Sequence, residues 1–395
     1  MLMKKLRIGI LTFHFSDNFG ALLQAYGLRQ WLTELGHSVE FINYHPSHVE
    51  SGGNFKGLWD PRAFKANAKI AYLKASTLRQ RLFGDKRQER AFQLFRTNEL
   101  HLSGRVLPTR EAVEAHLASM EHPYDLIIVG SDQIWSASAQ HGLDRVYFAD
   151  FAVPTETRRI SYAPSFGRAT IELDNPNELK RMLSALDGIS CRERSGATIV
   201  QGLLGRDVSC VPDPTLLLGN FDPLVSSANG LGGHVFCYAL RSGKGIRDVA
   251  NWIGAQLERE IISPFNVHRR WPEIGKTVHP SPSEWVGMVA NAGFVVTNSF
   301  HGTVFSILLQ RPFLVVGLPG ARASLNERAL NLLGELGLSD RFVENGDLTA
   351  AKQKFVEPID WTKAVANLQK LQSIGRNYLT LELSKLDHLS PGANI

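Results

Sequence analysis

The most conspicuous candidate for chemistry in this sequence is a histidine inside one of its most apolar stretches. The segment TNSFHGTVFSILLQRPF, residues 297–313, follows the apolar run AGFVVT and contains His301. Its polar neighbours are Ser299, Gly302 and Thr303. An imidazole can carry a proton near neutral pH, and the N–H groups at a helix start favour a phosphate or carboxylate. The pattern predicts an anion site at a strand-to-helix turn; the alternative is a histidine that only bonds to a neighbouring loop.

Three further polar segments follow predicted strands and are candidates for binding or catalysis. In SCRERSG, Arg192 offers a planar guanidinium to a carboxylate or phosphate, unless it forms an ordinary ion pair. In FHFSDNFGALLQ, Asp17 and Asn18 either face a ligand or cap the following helix. In GSDQIW, Asp132 either accepts hydrogen bonds from sugar hydroxyls or forms a turn. Asp213, in VPDPT, is interpreted as a turn residue.

These segments lie in an alternation of short apolar runs and amphipathic stretches, which predicts parallel sheets connected by helices. A tract rich in Gly, Asn, Pro and Ser at 218–233 predicts a linker. We therefore expect an α/β protein of two doubly wound domains facing a cleft, at 1–220 and 234–345, with a C-terminal helix at 362–388 that packs back toward the first domain. Ligands gather beyond the carboxyl ends of parallel strands, where the polar segments fall.

The bulk composition is that of a soluble globular protein. Of the 395 residues, 44% are hydrophobic and 21% are charged, and no apolar run reaches the ~20 residues of a membrane span. The opening MLMKKLRIGILTFHF is interpreted as a buried strand rather than a signal peptide. The three cysteines match no zinc spacing, and their odd number argues against a disulfide framework, which favours the reducing cytoplasm.

Several cofactor motifs are missing from the sequence. No Gly-x-Gly-x-x-Gly follows a strand, and RSGKG lacks the upstream glycine of a P-loop. Neither Asp-x-Asp nor His-Glu-x-x-His occurs. We therefore expect neither a metal ion nor a bound cofactor.

The net charge of +5 favours an anionic substrate or surface. Basic residues concentrate between Arg79 and Arg96, where Asp85 and Glu89 are the acidic residues. This cluster is interpreted either as the solvated face of an amphipathic helix or as a contact with lipid headgroups. No nucleic acid is expected as a partner, because no known binding motif accompanies the charges.

Taken together, the polar segments resemble the polysaccharide pyruvyl transferase family. The matching segments run from residue 16 to 313 and are SDNFGALLQAYGL, GSDQIW, ISYAPSFG, SCRERSG, VPDPTLLL and TNSFHGTVFSILLQRPF. The resemblance implies two facing Rossmann-like domains, as in GT-B glycosyltransferases, with 1–220 on the acceptor side and 234–345 on the donor phosphate side. It also implies an enzyme that moves pyruvate from phosphoenolpyruvate onto two hydroxyls of a sugar, forms a ketal and releases phosphate.

The resemblance further implies an acceptor that is a bacterial surface polysaccharide, such as an exopolysaccharide, or its lipid-linked precursor. The partners are then phosphoenolpyruvate as the donor and a glycan or lipid-linked saccharide as the acceptor. A lipid-linked acceptor adds the expectation of a cytoplasmic enzyme with a peripheral contact at the inner face of the plasma membrane.

Two functional positions carry over from the family by motif, and these are Arg192 and His301. The expected roles are anion binding for Arg192, general acid or stabiliser of the departing phosphate for His301, and base for Asp17. Ser299 departs from the family pattern, since some members have an arginine two residues before the histidine. The cations that could replace it are Arg192, Lys244, Arg322 and Arg328.

The predicted site divides into two sides. The donor side is expected to comprise Ser299, Gly302, Thr303 and Lys244. Asn18 and Asp132 are expected to bind the acceptor. Two other functions stay open: a GT-B glycosyltransferase that uses a sugar nucleotide, because fold does not determine function, and a non-enzymatic basic module that binds membrane or nucleic acid through the Arg79–Arg96 cluster.

Overall fold

The computed structural model describes residues 4–387, except 47–63, 84–85, 138–141, 169, 172–175, 226–231, 242 and 266–272. Two sets of parallel strands lie at the centres of two α/β domains. The strands of the first domain are β1 (Arg7–Leu11), β2 (Ser38–Phe41), β3 (Leu126–Asp132), β4 (Arg158–Pro164), β5 (Ser190–Cys191) and β6 (Ser209–Cys210). Four of them form a sheet in the order β2-β1-β3-β4, and the β5–β6 pair joins β4 through a bridge between Ile160 and Gly188.

The second domain contains a single sheet of six strands. They are β7 (Val235–Tyr238), β8 (Ile261–Pro264), β9 (Lys276–Val278), β10 (Phe294–Thr297), β11 (Phe313–Val316) and β12 (Phe342–Val343). Their spatial order is β12-β11-β10-β7-β8-β9, and every neighbouring pair is parallel. The short apolar runs therefore form parallel sheets, as the sequence predicts.

Helices connect these strands in both domains. In the first domain they are α1 (Phe19–Glu34), α2 (Phe64–Phe83), α3 (Lys86–Phe95), α4 (Arg110–Ala118), α5 (Pro176–Leu183), α6 (Arg194–Leu204), α7 (Pro214–Leu218) and α8 (Asp222–Val225). The later helices are α9 (Lys244–Leu257), α10 (Pro282–Ala290), α11 (Phe300–Leu308), α12 (Glu327–Leu336), α13 (Leu348–Val356) and α14 (Trp361–Asp387). Helix α8 lies within the tract 218–233, whose composition predicts a linker.

Helix α1 lies where the two domains meet. Its start at Phe19 agrees with the sequence prediction, but it is buried on most of its surface rather than on one apolar face. The reason is that it packs on α7 of its own domain and on α10 of the other. At its first residue, the Phe19 ring stacks on Trp285 with the centroids 5.6 Å apart. Both domains thus share one apolar core.

The C-terminal helix α14 packs back onto the first domain, as predicted. The Tyr378 hydroxyl donates to the carbonyl of Ser161 at 2.9 Å. Glu382 pairs with Arg158 at 2.6 Å, and both side chains are largely buried. These contacts hold α14 beside β4, and α14 also packs on α12 of the second domain.

The basic cluster at Arg79–Arg96 spans the end of α2 and all of α3. In α3, Phe92 and Phe95 are buried, whereas Lys86 and Arg90 are exposed. This division supports the solvated face of an amphipathic helix, and the contact with lipid headgroups stays a prediction. Within the described ranges, none of the helices has the length and apolar character needed to cross a membrane.

Candidate active site

Asp213 is the centre of a charged cluster at the carboxyl ends of the strands of the first domain. Its Oδ2 accepts hydrogen bonds from Arg192 Nη1 at 2.9 Å and from Ser131 Oγ at 3.2 Å. The Nε2 atom of His301 lies 3.7 Å from the same oxygen. The Oδ1 atom accepts from the backbone N–H and the hydroxyl of Thr215, at 3.0 and 2.7 Å. Asp213 therefore caps α7 with one oxygen and organises the cluster with the other, which its interpretation as a turn residue missed.

The ion pair between Asp213 and Arg192 is charged at any physiological pH. Burial alone would raise the pKa of the Asp213 carboxyl, but His301 and Arg192 outweigh burial and hold that pKa far below its usual range. Burial alone would lower the pKa of Arg192, but Glu193 and Asp213 outweigh it and raise that pKa. Since the Asp213 side chain is fully buried, its charge depends on these partners.

Arg192 is positioned by the short strand β5. Its backbone N–H donates to the carbonyl of Pro164, which ties the end of β5 to the end of β4. Its Nε donates to Glu193 Oε1 at 2.9 Å, so the guanidinium contacts two carboxylates. Arg192 therefore does form ion pairs, as the predicted alternative to ligand binding proposed. A further atom, Nη2, is shielded from solvent and has no hydrogen-bond partner in the described part of the chain.

His301 is delivered to this cluster by the second domain. It lies in the first turn of α11, directly after β10, and is only 8% exposed. Its Nδ1 side faces Gly20 in α1, where an added Cβ would overlap the imidazole ring. The absence of a side chain at Gly20 thus allows the ring to reach Asp213. The structure thus brings His301 and Arg192 together at one Asp213 oxygen.

The predicted anion site at Gly302 and Thr303 requires free N–H groups, but hydrogen bonds within the turn around His301 already use them. The N–H of Gly302 donates to Ser299 Oγ at 3.4 Å, and the N–H and hydroxyl of Thr303 both donate to the Ser299 carbonyl at 3.0 Å. A Cβ at Gly302 would meet the hydroxyl of Thr297, so its glycine is required by internal packing. Ser299 is thus the N-cap of α11, and the N–H groups of Gly302 and Thr303 are occupied within the turn.

The other predicted residues of the first domain lie at or after strand ends, and each has a hydrogen-bond or ion-pair partner within the chain. Asp17 forms an ion pair with Arg96 at 2.8 Å. Asn18 caps α1 by accepting from the N–H of Ala21 at 3.1 Å. Asp132 ends β3 with a φ of +68° and accepts from its neighbouring backbone N–H at 2.8 Å. Their roles toward an acceptor stay predictions.

Lys244 neither contacts Asp213 nor lines the cavity described below. It is exposed at the first turn of α9, beyond the carboxyl end of β7. Its role as a donor-binding residue also stays a prediction. Among the residues that the structure describes, no group of three or more His, Cys, Asp and Glu side chains could hold a metal ion.

A cavity of about 970 Å³ opens beside the cluster. Its lining includes Arg192, Asp213, Phe300 and Arg328, together with residues of α12 and α14. His301 is outside this lining and contacts it through Asp213. Phe300 and Arg328 were not singled out as a pair by the sequence, because an aromatic residue at a helix start and an arginine 28 positions later share no pattern.

The parallel sheets and the shared junction define a two-domain GT-B architecture. Solved UDP-N-acetylglucosamine 2-epimerases have the same fold. The enzyme from Rickettsia bellii aligns with a TM-score of 0.53 at 12% identity and 98% coverage of both chains. The enzyme from Methanocaldococcus jannaschii aligns with a TM-score of 0.51 at 11% identity, over 96% of this chain and 100% of the other. Identities this low show the fold alone.

The family is given by the sequence. A family model described as polysaccharide pyruvyl transferase matches residues 18–318, and this chain belongs to that family. A comparison with curated protein sequences gave no significant match. The resemblance in the polar segments is thereby confirmed, and the protein is a transferase of this family.

Proposed function

We propose that this protein transfers the pyruvyl group of phosphoenolpyruvate to two hydroxyls of a sugar in a bacterial surface polysaccharide or its lipid-linked precursor. Membership of the polysaccharide pyruvyl transferase family supports the reaction class. The observation that carries the proposal is a single buried oxygen, Asp213 Oδ2, which joins Arg192 of the first domain to His301 of the second. An anion-binding guanidinium and a proton-carrying imidazole thus meet where the two domains face each other.

The reaction needs one proton donor, one acceptor of protons and a site for two anionic groups. The methylene carbon of phosphoenolpyruvate gains a proton, and a sugar hydroxyl attacks the adjacent carbon. Phosphate departs as the bond between that carbon and the phosphate oxygen breaks, and a second hydroxyl of the same sugar closes the ketal. Of the two hydroxyl protons released, one balances the proton added to the methylene carbon and the other leaves with phosphate. Positioning both hydroxyls can lower such a barrier by up to ~7–11 kcal/mol.

The roles follow from the contacts in the cluster. Arg192 binds an anionic group of the donor, since its Nη2 is unpartnered beside the cavity. His301 is the proposed general acid or the partner of the departing phosphate, and its Nε2 lies 3.7 Å from Asp213 Oδ2, without a hydrogen bond. Because Asp213 lines the cavity, this approach places the imidazole directly behind the cavity wall.

The acceptor is proposed to bind at the strand ends of the first domain. Asp17, Asn18 and Asp132 follow β1 and β3, and Asp17 is the proposed base that accepts a hydroxyl proton. Its ion pair with Arg96 holds the carboxylate in one orientation. A lipid-linked acceptor would bring the basic α3 toward an anionic membrane face in the cytoplasm.

Two measurements test the function. Phosphoenolpyruvate should raise the unfolding temperature of the protein, whereas UDP- and GDP-sugars should not. Phosphate should be released from phosphoenolpyruvate only when a suitable glycan or lipid-linked saccharide is added. Stabilisation by a sugar nucleotide and not by phosphoenolpyruvate would instead support a GT-B glycosyltransferase.

A further inference from the structure

We infer that Arg328 and Arg192 together form a two-guanidinium site for a small dianion, and that Arg328 is the second cation that holds the donor. Both side chains line the same cavity. The guanidinium carbon of Arg192 lies 5.0 Å from the centroid of the Phe300 ring, and that of Arg328 lies 5.7 Å from it. The identity of the dianion as phosphoenolpyruvate rests on the proposed function; the site itself rests on this geometry.

Arg328 forms no ion pair in the described part of the chain, and the carboxylates of Glu193, Asp132 and Asp213 act on it only from a longer distance. Its polar partner is the neutral side chain of Gln133. With the Gln133 amide oriented so that its oxygen faces the guanidinium, that oxygen accepts from Nη1 at 3.2 Å and from Nη2 at 2.9 Å. The Nε atom is shielded from solvent without a hydrogen-bond partner. A shielded, unpaired N–H of a charged group is costly, which an incoming anion would correct.

Arg192, like Arg328, has one buried guanidinium nitrogen without a hydrogen-bond partner. Its Nε and Nη1 are used by Glu193 and Asp213, but Nη2 is shielded and unpartnered. Two guanidinium groups near one aromatic ring thus each retain one unsatisfied donor. The remaining donor of each guanidinium fork can bond to a carboxylate or phosphate oxygen, so a ligand with two anionic groups matches this pair.

The electrostatics favour occupation by an anion. The pKa of Arg328 is lowered by burial first and by the positive charge of Arg192 second, and the carboxylates of Glu193, Asp132 and Asp213 offset only part of this shift. Burial and the nearby cation both disfavour the charged form of Arg328. An anion placed between the two arginines would offset both effects, whereas a neutral ligand would offset neither.

The other candidate cations fit this role less well. Lys244 and Arg322 are exposed, and neither lines the cavity. Arg322 lies six positions before Arg328, in the 3₁₀ segment Gly320–Asn326 that precedes α12. It therefore provides a matched control of the same charge, from the same region of the chain, on an exposed backbone segment.

The test is isothermal titration calorimetry of the full-length protein with phosphoenolpyruvate. Replacing Arg328→Gln should weaken binding by about 10- to 100-fold, since a hydrogen bond to a charged group contributes ~1.5–3 kcal/mol. Arg328→Lys, which keeps the charge and loses the fork, should give an intermediate affinity. Arg322→Gln should bind as wild type does.

Thermal unfolding without ligand separates binding from folding. Arg328→Gln should unfold at the same temperature as the wild type or higher, because it removes a buried charge that forms no ion pair. Phosphoenolpyruvate should then raise the unfolding temperature of the wild type and not of the variant. A lower unfolding temperature for ligand-free Arg328→Gln would identify a structural role and overturn the inference.

A second titration with inorganic phosphate separates this inference from the proposed function. If the wild type binds phosphoenolpyruvate and Arg328→Gln binds it equally well, the inference fails and the function survives. If the wild type binds phosphate but not phosphoenolpyruvate, and Arg328→Gln loses phosphate binding, the anion site stands and the proposed donor fails. A wild type that binds neither compound overturns the inference.

Discussion

The carboxyl ends of the two sheets are built in different ways. At the first, charged side chains from different strand ends meet: Arg192 after β5 and Asp213 after β6 form a fully buried ion pair. At the second, neutral hydrogen bonds to the backbone close the loops. Thr297 donates to the carbonyl of Tyr238 at 2.6 Å, and the Asn298 side-chain oxygen accepts from the N–H of Leu240 at 2.8 Å.

This difference separates the tasks of the two domains. The strand ends of the first domain supply fixed charge, while those of the second form a neutral, internally bonded support that delivers His301 and Phe300. Arg328, which also lines the cavity, comes from helix α12 and not from a strand end. Changes at the strand ends of the first sheet should therefore affect both folding and chemistry. Changes at the strand ends of the second sheet should affect the position of the His301 ring. Four substitutions test that division, beginning with the largest expected effect.

Replacing Asp213→Asn should cause the largest loss. It leaves the Arg192 guanidinium buried with one carboxylate fewer and removes the charge that faces His301, and breaking a buried ion pair costs ~3–5 kcal/mol. Turnover should become undetectable, and chemical denaturation should show a loss of that size. Asp222→Asn, at an exposed position in α8, should change stability by less than ~0.5 kcal/mol. Equal behaviour of both variants would contradict a central role for Asp213.

The same variant has a defined dependence on pH. Because folding lowers the pKa of Asp213, the stabilisation is fully present above the pKa of an unfolded aspartate, about 3.9, and is lost as the pH falls below it. The difference in unfolding free energy between wild type and Asp213→Asn should shrink as the pH falls below about 4. A difference that stays unchanged below pH 4 would contradict the assignment.

Asp213 also marks the limit of what the sequence predicted. The start of α1 at Phe19, the short strands before Arg192 and before Asp213, and the turn before His301 follow from local patterns, and the structure contains them. The partners of Asp213 could not be predicted from local patterns, because Ser131 is 82 positions away in the sequence and Arg192 is 21 positions away. An aspartate between two prolines looks like a turn residue until the neighbouring strand ends are placed beside it.

Two other differences have equally physical causes. Strands β9 and β12 are three and two residues long, which is too short to produce a recognisable alternation. The glycine after His301 resembled a site of close ligand approach, yet Thr297 occupies the space that a side chain at Gly302 would need. Local sequence shows that a glycine is useful at such a position but not what approaches it.

Replacing His301→Ala should give the next largest effect, and its main effect should be on chemistry. Loss of a general acid lowers turnover by ~10²–10⁴-fold, and affinity for phosphoenolpyruvate should change little because the arginines remain. Turnover, calorimetric affinity and circular dichroism measure the three quantities. His122→Ala, at an exposed histidine, should retain wild-type turnover. Wild-type turnover in His301→Ala would exclude the imidazole from the reaction.

Replacing Asp17→Asn tests the proposed base and should have a smaller effect. Turnover should fall by ~10²-fold while donor affinity is unchanged. Arg96→Gln is the matched comparison, since it removes the same ion pair and keeps the carboxylate. It should lower turnover far less than Asp17→Asn. Equal losses in both variants would mean that only the ion pair matters.

Replacing Gly20→Ala tests how closely the two domains meet at His301. A Cβ there would overlap the imidazole, and such overpacking costs ~1–3 kcal/mol. Gly202→Ala is the control, because a Cβ at this exposed position of α6 would meet no atom within 4 Å and should stabilise the helix by up to ~1 kcal/mol.

The cause of the Gly20→Ala loss can be isolated by removing the ring. In the double variant Gly20→Ala with His301→Ala, the added methyl group no longer meets an imidazole, so the two substitutions should be less destabilising together than the sum of their separate effects. Chemical denaturation of the four proteins measures this coupling. Strict additivity would show that the methyl group meets something other than His301. Gly20 would then not be the residue that leaves room for the ring beside Asp213.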